Sequence, residues 1–450
     1  MNIRVNFEFE VKMPEDRANA NEIFDASGKI MKKFNKMLLE QIIEAYQEKI
    51  VDILCSKSGL VAKKGLGKHP VKGNKSKLCR CRTFTRSGYW QDKRTLRGEF
   101  GSVDFFPAII QCSNCGKRFT PVLAALELEA YQGKTDKILR MVTESVAETS
   151  YRRGASQLSV LAGVPVCRST AHQWAASVDL PLSKSGSAPF LAADGTGFKK
   201  QGGSRGTVNL VLELGKNGGV RPLGVWAGTS WESMSKEIEQ TVKDGQYRLL
   251  LCDGERAIDK WLGKFAEKTN RGHWHLPREL KYALWGDDTT FEDRKDASAK
   301  LRQLIAVEIP GEDIEAVEES EKNELHQRIR EAEKKIEGLQ QEFAQKGYTK
   351  AVTYLENARG RIFNHLHLWL ETGIIAPHTT SIVENIIREL VRRLKKIGWN
   401  WSDEGATRMG RIVMIRRYDN SAWEKYWRDK MNLCGRCKIS IVKCERKMVA

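Results

Sequence analysis

Between residues 20 and 55 apolar side chains recur at helical spacing, with Ile30, Phe34, Leu38, Ile42 and Tyr46 on one face, which predicts one or two helices. Ahead of them, MNIRVNFEFEVKMPED alternates apolar and polar positions as a strand does. After residue 189 the period changes. Residues 189–194, GTVNLVLEL and RPLGVWAG read as three strands, 231–244 as a helix, 248–252 as a fourth strand and 255–267 as another helix. Beyond Lys281 the strand pattern stops. Residues 295–346 are highly charged, and Ile329, Ala332, Ile336, Leu339 and Phe343 follow 3-4-3-4 spacing, so a short coiled coil or helical hairpin is predicted, most simply a solvated helical insertion. GRIFNHLHLWLETG is a further helix leading to Pro377. HTTSIVENIIRELVRRLKKIGWNWS then starts a helix with Thr380 or Ser381 as N-cap and Glu384 in its first turn, and carries a basic face through Arg388, Arg392, Arg393, Lys395 and Lys396.

Two segments before the strands have a different character. Residues 63–99 hold twelve Lys or Arg against Asp92 and Glu99 alone, with several glycines. Cysteines bracket that stretch as Cys79-Arg80-Cys81 and Cys112-Ser113-Asn114-Cys115, and VDFFPAIIQCSNCGKRF reads as a strand running into a knuckle turn at Gly116. Close cysteine pairs in a reducing compartment suit a metal better than disulfides, and thiolate–zinc bonds would replace the core so polar a segment lacks. Cys79, Cys81, Cys112 and Cys115 are therefore the candidate ligands of a structural Zn2+; Cys-X-Cys is tighter than the usual spacing, and free buried cysteines are the alternative. Next, SYRRGASQLSVLAGVPVCRSTAHQWAAS predicts a helix ending near Leu161, a turn at Gly163 and a helix from Ser169 to Ala176, with a preceding helix at 136–148. These are the lengths of a helix-turn-helix, whose second helix offers Arg168, Ser169, Thr170, His172 and Gln173 to a DNA groove; a plain helical hairpin shares the pattern.

The net charge of +18 over 450 residues favours a polyanionic partner, nucleic acid or an acidic membrane surface. Membrane is disfavoured, because no run of 18 apolar residues occurs and the N-terminus lacks a signal-peptide core; a cytoplasmic, nucleoid-associated prokaryotic protein is the expectation.

The order of elements gives the acids meaning. LAADGTGF and LLLCDGERAI each set an Asp-Gly at the end of an apolar strand; alone, either is a common turn. Three strands in hairpin order, a helix, a strand and a helix match the opening of an RNase H-like fold, in which the first and fourth strands are neighbours. Asp194 and Asp253 would then lie side by side, with Glu384 as a third carboxylate from a packed helix. Three oxygen-donor acids suit two Mg2+ or Mn2+ ions that promote phosphodiester cleavage. For Glu384 the plain reading is a first-turn acid answering the helix dipole.

Residues 187–430 resemble the Mutator-like class of DDE insertion-sequence transposases through LAADGTGF, LLLCDGERAI, WHLPREL, TTSIVENIIREL and KKIGWNWSDEGATRM…SAWEKYW. The resemblance implies an RNase H-like domain interrupted by a helical insertion, for which the 131 residues from Asp253 to Glu384 leave room, and a triad of Asp194, Asp253 and Glu384. It implies hydrolysis at the ends of a mobile element and attack of the freed 3′-hydroxyl on target DNA, with double-stranded terminal inverted repeats as partner and a homodimer or higher oligomer on DNA. The class's Cys-X-X-His signature is half present: His275 with Arg278 fits a His-X-X-Arg part, while Gly272 occupies the Cys position. His275 is assigned to the scissile phosphate, to a flipped base or to packing beneath the site, and His273 to no role. Arg278, Arg388 and Arg392 are candidate DNA contacts. Trp399 and Trp401 belong to base stacking or to the core, and Cys434, Cys437 and Cys444 are one ligand short of a zinc site.

The expected organisation is α+β and multidomain: 1–60, strand and helical; 61–121, a basic zinc-ribbon-like module; 122–180, helix-turn-helix; 187–283 with 377–430, the RNase H-like α/β catalytic domain; 284–376, a large helical insertion; 431–450, a cysteine-containing tail. SKSGSAP links the binding and catalytic parts. The leading expectation is a transposase; the rivals are a domesticated DNA-binding regulator that no longer cuts and a structure-specific nuclease of the same fold.

Overall fold

A computed structural model describes residues 20–56, 67–81, 83–129, 131–183, 186–377, 381–397 and 400–433. The strand expected near the N-terminus, Thr380, Trp399, Cys434, Cys437 and Cys444 lie outside these residues, as does part of the linker segment. The chain is α+β and divides into two compact units, one formed by residues 1–146, 151–175 and 430–432, the other by 147–150, 176–429 and 433–450.

The first unit starts with a single helix, α1 (Ala20–Cys55). Seven short strands follow: β1 (Pro70–Val71), β2 (Asn74–Leu78), β3 (Phe84–Tyr89), β4 (Arg94–Gly98), β5 (Gly101–Phe105), β6 (Ala108–Cys112) and β7 (Arg118–Phe119). They pair as a β1–β2 hairpin, a β4–β5 hairpin and a β3-β6-β7 sheet, all antiparallel. The continuous strand expected across VDFFPAIIQC is two strands parted at Pro107, whose ring fixes φ and removes a ladder donor. Nor does the basic module lack a core. Ile50, Val51 and Leu54 of α1 bury against Phe84, Ala108, Ile110 and Cys112, so helix and module form one hydrophobic unit. After α2 (Pro121–Ala125) come α3 (Asp136–Glu148), α4 (Tyr151–Ala162) and α5 (Arg168–Ala176), with Gly163 between the last two.

The second unit is built on a five-stranded mixed sheet of β8 (Phe190–Lys199), β9 (Arg205–Leu214), β10 (Val220–Ala227), β11 (Tyr247–Cys252) and β12 (Ala266–Arg271), in the order β10-β9-β8-β11-β12. β9 is antiparallel to both neighbours, whereas β11 is parallel to β8 and to β12. β12 is the strand sequence reasoning missed: AEKTNR was assigned in part to a helix that in fact ends at Leu262, because an edge strand covered on one side needs no apolar run. α6 (Trp231–Ile238) and α7 (Arg256–Leu262) bury Met234, Ile238, Ile258 and Leu262 against Leu191, Ala193, Val211, Leu250 and Cys252.

The opposite sheet face receives α13 (Ser381–Val391), against β8, and α14 (Asp403–Tyr418), against β9 and β10; before them run α8 (His275–Gly286), α9 (Phe291–Leu304), α10 (Glu319–Gln345), α11 (Thr349–Ala358) and α12 (Asn364–Thr372), and α15 (Asn420–Met431) closes the described chain. Residues 284–376 are helical but are more than a solvated hairpin. Leu325, Ile329, Ala332, Ile336, Leu339 and Phe343 of α10 enter a shared core with Leu276, Leu280 and Leu284 of α8, Leu301 of α9, Leu355 of α11 and Trp369 of α12. That core ties the insertion to α8, the first helix after the sheet. Ile329→Ala, at a position 1% exposed, is expected to cost about 2–5 kcal/mol; urea denaturation would register it as a lower midpoint at unchanged slope.

Candidate active site and metal centre

β8 and β11 run parallel and in register through Leu251↔Ala192, and Asp194 and Asp253 each lie two residues beyond that pair. β8 continues to Lys199 while β11 stops at Cys252, so the two chains part where the acids stand, as at the carboxyl ends of parallel strands generally. Side chains alternate along β8: Ala193 enters the α6–α7 core, and Asp194 therefore turns to the face against which α13 lies. Glu384 sits in the first turn of α13.

The Asp253 turn is held from both sides. Its carboxylate accepts the Glu255 N–H at 2.9 Å, and Gly254 takes φ +100°, where a Cβ would come within 2.0 Å of the Arg271 guanidinium. Arg271, 4% exposed, donates to the Asp253 carbonyl at 3.2 Å and stacks on Tyr354, whose hydroxyl donates to the Leu276 carbonyl at 3.0 Å. A residue of β12, one of α11 and one of α8 thus pin the loop that presents Asp253.

Burial, then the nearby Asp253 carboxylate, push Asp194 up to about 7; the Gly195 N–H opposes them, Glu384 adds a further rise and Arg278 a further lowering. His275 Nε2 lies 3.1 Å from Glu384 Oε1. The imidazole is 5% exposed, and burial, then the Arg278 charge, hold its pKa below the ordinary value although Asp253 and Glu384 favour its protonation. Of the roles open to His275, this geometry fits packing beneath the site against Glu384. His273 contacts the Ile362 carbonyl at 2.8 Å, away from the acids. Arg278 is exposed and paired with Glu279 at 2.9 Å.

The basic face expected after Glu384 is altered by helix geometry. α13 gives way to a π-helical turn at Arg392–Ile397, whose wider winding breaks the α pattern. Arg393 is fully buried with its guanidinium 4.8 Å over the Trp401 ring, and Trp401, 6% exposed, donates to the Leu394 carbonyl at 3.2 Å. Trp401 is accordingly a core residue and Arg393 no part of a surface. Arg392 is committed to Glu148 at 2.5 Å and Glu389 at 3.1 Å, and Arg416 also pairs with Glu148, so the expected DNA contact at Arg392 is replaced by an internal ion-pair network. Arg388 remains exposed, and Lys395 Nζ donates to Thr196 Oγ1 at 3.0 Å, two residues beyond Asp194.

In the first unit Arg168, Ser169, His172 and Gln173 of α5 are exposed and Thr170 is half-buried, while Ala171, Trp174 and Ala175 form the buried side. His172 also meets the Tyr151 ring edge-on at 5.0 Å.

The metal centre differs from expectation by one ligand. His69 Nε2 and the Cys79, Cys112 and Cys115 sulfurs all lie within 4.8 Å of one another. Cys79 and Cys112 are 3.8 Å apart and Cys115 and His69 3.4 Å. A tetrahedral ion with about 2.3 Å metal–sulfur and about 2.0 Å metal–nitrogen bonds sets those edges near ~3.8 and ~3.5 Å, so the four donors fit a zinc-type ion. His69 Nδ1 is 2.8 Å from the Gly67 carbonyl. A carbonyl only accepts, so the proton belongs on Nδ1 and the Nε2 lone pair faces the cysteines. Cys81 is displaced from the set: its thiol donates to the Thr83 carbonyl at 3.2 Å. Residues 79–81 follow the end of β2 and belong to no strand, and the turn to Thr83, whose N–H donates to the Cys81 sulfur at 3.4 Å, holds that side chain apart from the other three. His69 was missed because a lone histidine ten residues before the nearer cysteine, Cys79, carries no spacing signal; the Cys79 N–H to His69 carbonyl bond, 2.9 Å, brings it in.

Among the described residues no other group of three or more such side chains meets that mutual distance, and no helix is long and apolar enough to cross a membrane. A depression of about 590 Å³ lined by Lys216, Lys243 and Arg248 lies beside residues 186–189, just before β8. No protein-family model matches the chain, and no curated protein does.

Metal analysis of purified protein is expected to find one zinc-type ion per chain, lost in His69→Ala and retained in Cys81→Ser. A second expectation concerns pH. The folded chain holds the Asp194 proton more tightly than the unfolded chain, so stability is full below about pH 4, falls as pH rises toward 7 and then levels. Asp194→Asn should therefore raise the metal-free melting temperature at pH 8, by an amount on the order of 2–4 kcal/mol of unfolding free energy, and leave it unchanged at pH 4.

Proposed function

We propose that this chain is a metal-dependent DNA strand-cleaving and strand-transferring enzyme of the DDE type, acting as a transposase on the ends of its own element. One observation carries the reading: Asp194, turned to the face where α13 lies and pushed up to about 7 first by burial and then by Asp253, also feels the charge of Glu384 from a helix far along the chain. The strand order β10-β9-β8-β11-β12, with β9 alone reversed, supports an RNase H-like fold. The helices inserted between α8 and α13 support the Mutator-like resemblance, and the four-donor centre beside a three-helix segment supports DNA recognition through a structural Zn2+ and a helix-turn-helix.

Asp194, Asp253 and Glu384 offer hard oxygen donors, and their mutual repulsion at neutral pH is what Mg2+ or Mn2+ relieves. Divalent ions held by these three carboxylates would supply charge neutralisation at the phosphate and a more acidic attacking water. The residues of the chain do the rest. The Gly254 turn and Arg271 hold Asp253 at the strand end. His275, neutral at physiological pH, keeps Glu384 against the site without cancelling its charge. Arg278 bears on a phosphate. In the first step the water oxygen bonds to phosphorus and the strand's 3′ oxygen leaves, taking a proton; in the second that 3′-hydroxyl bonds to a target phosphorus and the target's own 3′ oxygen leaves with a proton.

Purified protein incubated with DNA carrying the sequences that flank its gene, plus Mg2+ or Mn2+, is expected to nick at the repeat ends. Asp253→Asn and Glu384→Gln should lower cleavage roughly 10³-fold or more with repeat binding kept in a gel-shift assay. Binding without cleavage by the wild type would leave a DNA-binding regulator; cleavage of branched junctions in preference to repeat ends would leave a structure-specific nuclease.

A further inference from the structure

α8 buries Leu276, Leu280 and Leu284 in the insertion core, yet its outer face is not an ordinary polar surface. Trp274 is 50% exposed, Tyr282 61% and Trp285 66%. Trp274 already has helical dihedrals as the N-cap. At ~100° per residue, Trp274, Arg278, Lys281, Tyr282 and Trp285 fall within an arc of about 100°, and the two tryptophans stand ~16 Å apart along the axis. Arg278 and Lys281 are exposed on the same arc, and the Arg278 guanidinium lies 4.5 Å over the Trp274 ring. The one acid beside them, Glu279, is paired with Arg278.

The arc begins at the acids. The Trp274 ring meets His275 edge-on at 5.0 Å, and His275 Nε2 is 3.1 Å from Glu384. Arg278 is close enough to lower both Asp194 and His275. Three large rings left in water carry an unfavourable hydration cost that an occupant removes. Rings interleaved with cations select a strand that offers flat faces and phosphates together. A duplex hides its base faces, whereas unpaired nucleotides expose them.

We infer that the outer face of α8 holds unpaired nucleotides of the DNA strand next to the cut, with bases stacked on Trp274, Tyr282 and Trp285 and phosphates on Arg278 and Lys281. The inference rests on the phosphodiester reading above. It gives the enzyme a means of recognising a strand opened or frayed at the element end, in preference to intact duplex.

The test uses full-length protein in an Asp253→Asn background and fluorescence anisotropy with a labelled 12-nucleotide single strand and the duplex of the same sequence. Trp274→Ala and Trp285→Ala are each expected to weaken single-strand binding about five- to a hundredfold while duplex binding changes less than about twofold. Their salt dependence should stay as in the parent, and Arg278→Ala should reduce the salt slope by about one. Trp285→Phe should recover most of the lost affinity, which separates stacking from misfolding. Equal single-strand affinity with and without the two tryptophans overturns the inference, as does a loss confined to self-association in sedimentation, which would make the face a protein interface. The cleavage reading fails separately: a wild-type chain that holds single strands through these rings yet never cuts repeat ends keeps the platform and loses the chemistry.

Discussion

The burial of one carboxyl group, Asp194, beside Asp253 is the constraint on which the candidate site of the second unit depends. Loss of water disfavours its charged form, the Asp253 charge adds to that, and the group is pushed up to about 7. A fold chosen for stability alone would separate such groups or pair each with a cation. Here Arg278 offsets the field only in part, and the histidine touching Glu384 is kept neutral by its own burial. The stability given up at this point has to be recovered by the surrounding core.

That recovery is visible in what surrounds the acids. The sheet is almost entirely apolar beneath them, from Phe190 to Ala193 and from Leu249 to Cys252. Arg271 and Tyr354 fasten the Asp253 loop to α8 and α11. The helices inserted between sheet and α13 then serve a mechanical purpose, since their shared core fixes α8 and with it His275, Arg278 and the exposed rings. A solvated hairpin would not hold these groups still.

The metal centre of the first unit uses softer donors toward a different end. Three thiols and one imidazole, with the imidazole proton directed to a backbone carbonyl, leave no coordination position open for chemistry, so the ion they fit is a structural one. An ion there would join the segments of His69, Cys79, Cys112 and Cys115 at one edge of the core they share with α1. The four-donor centre belongs to one unit and the buried Asp194 to the other.

Asp194 and Asp253 were legible because each ends an apolar run with Asp-Gly, and the succession of strands and helices around them survives in local periodicity. The buried stripe of α10 was legible for the same reason, as were the helices flanking Gly163. What the chain alone could not reveal depended on partners remote in sequence. β12 is polar because it lies at a sheet edge, His69 joins the cysteines through a backbone bond, and Cys81 is drawn away from them by its turn to Thr83. Arg393 looks like a surface group until its guanidinium meets the Trp401 ring inside the core, and Arg392 until Glu148 reaches it. Sequence determines local period and the supply of reactive groups, since both are properties of neighbours along the chain. Which of those groups meet, and which are spent on each other, is decided only when folding sets the distances.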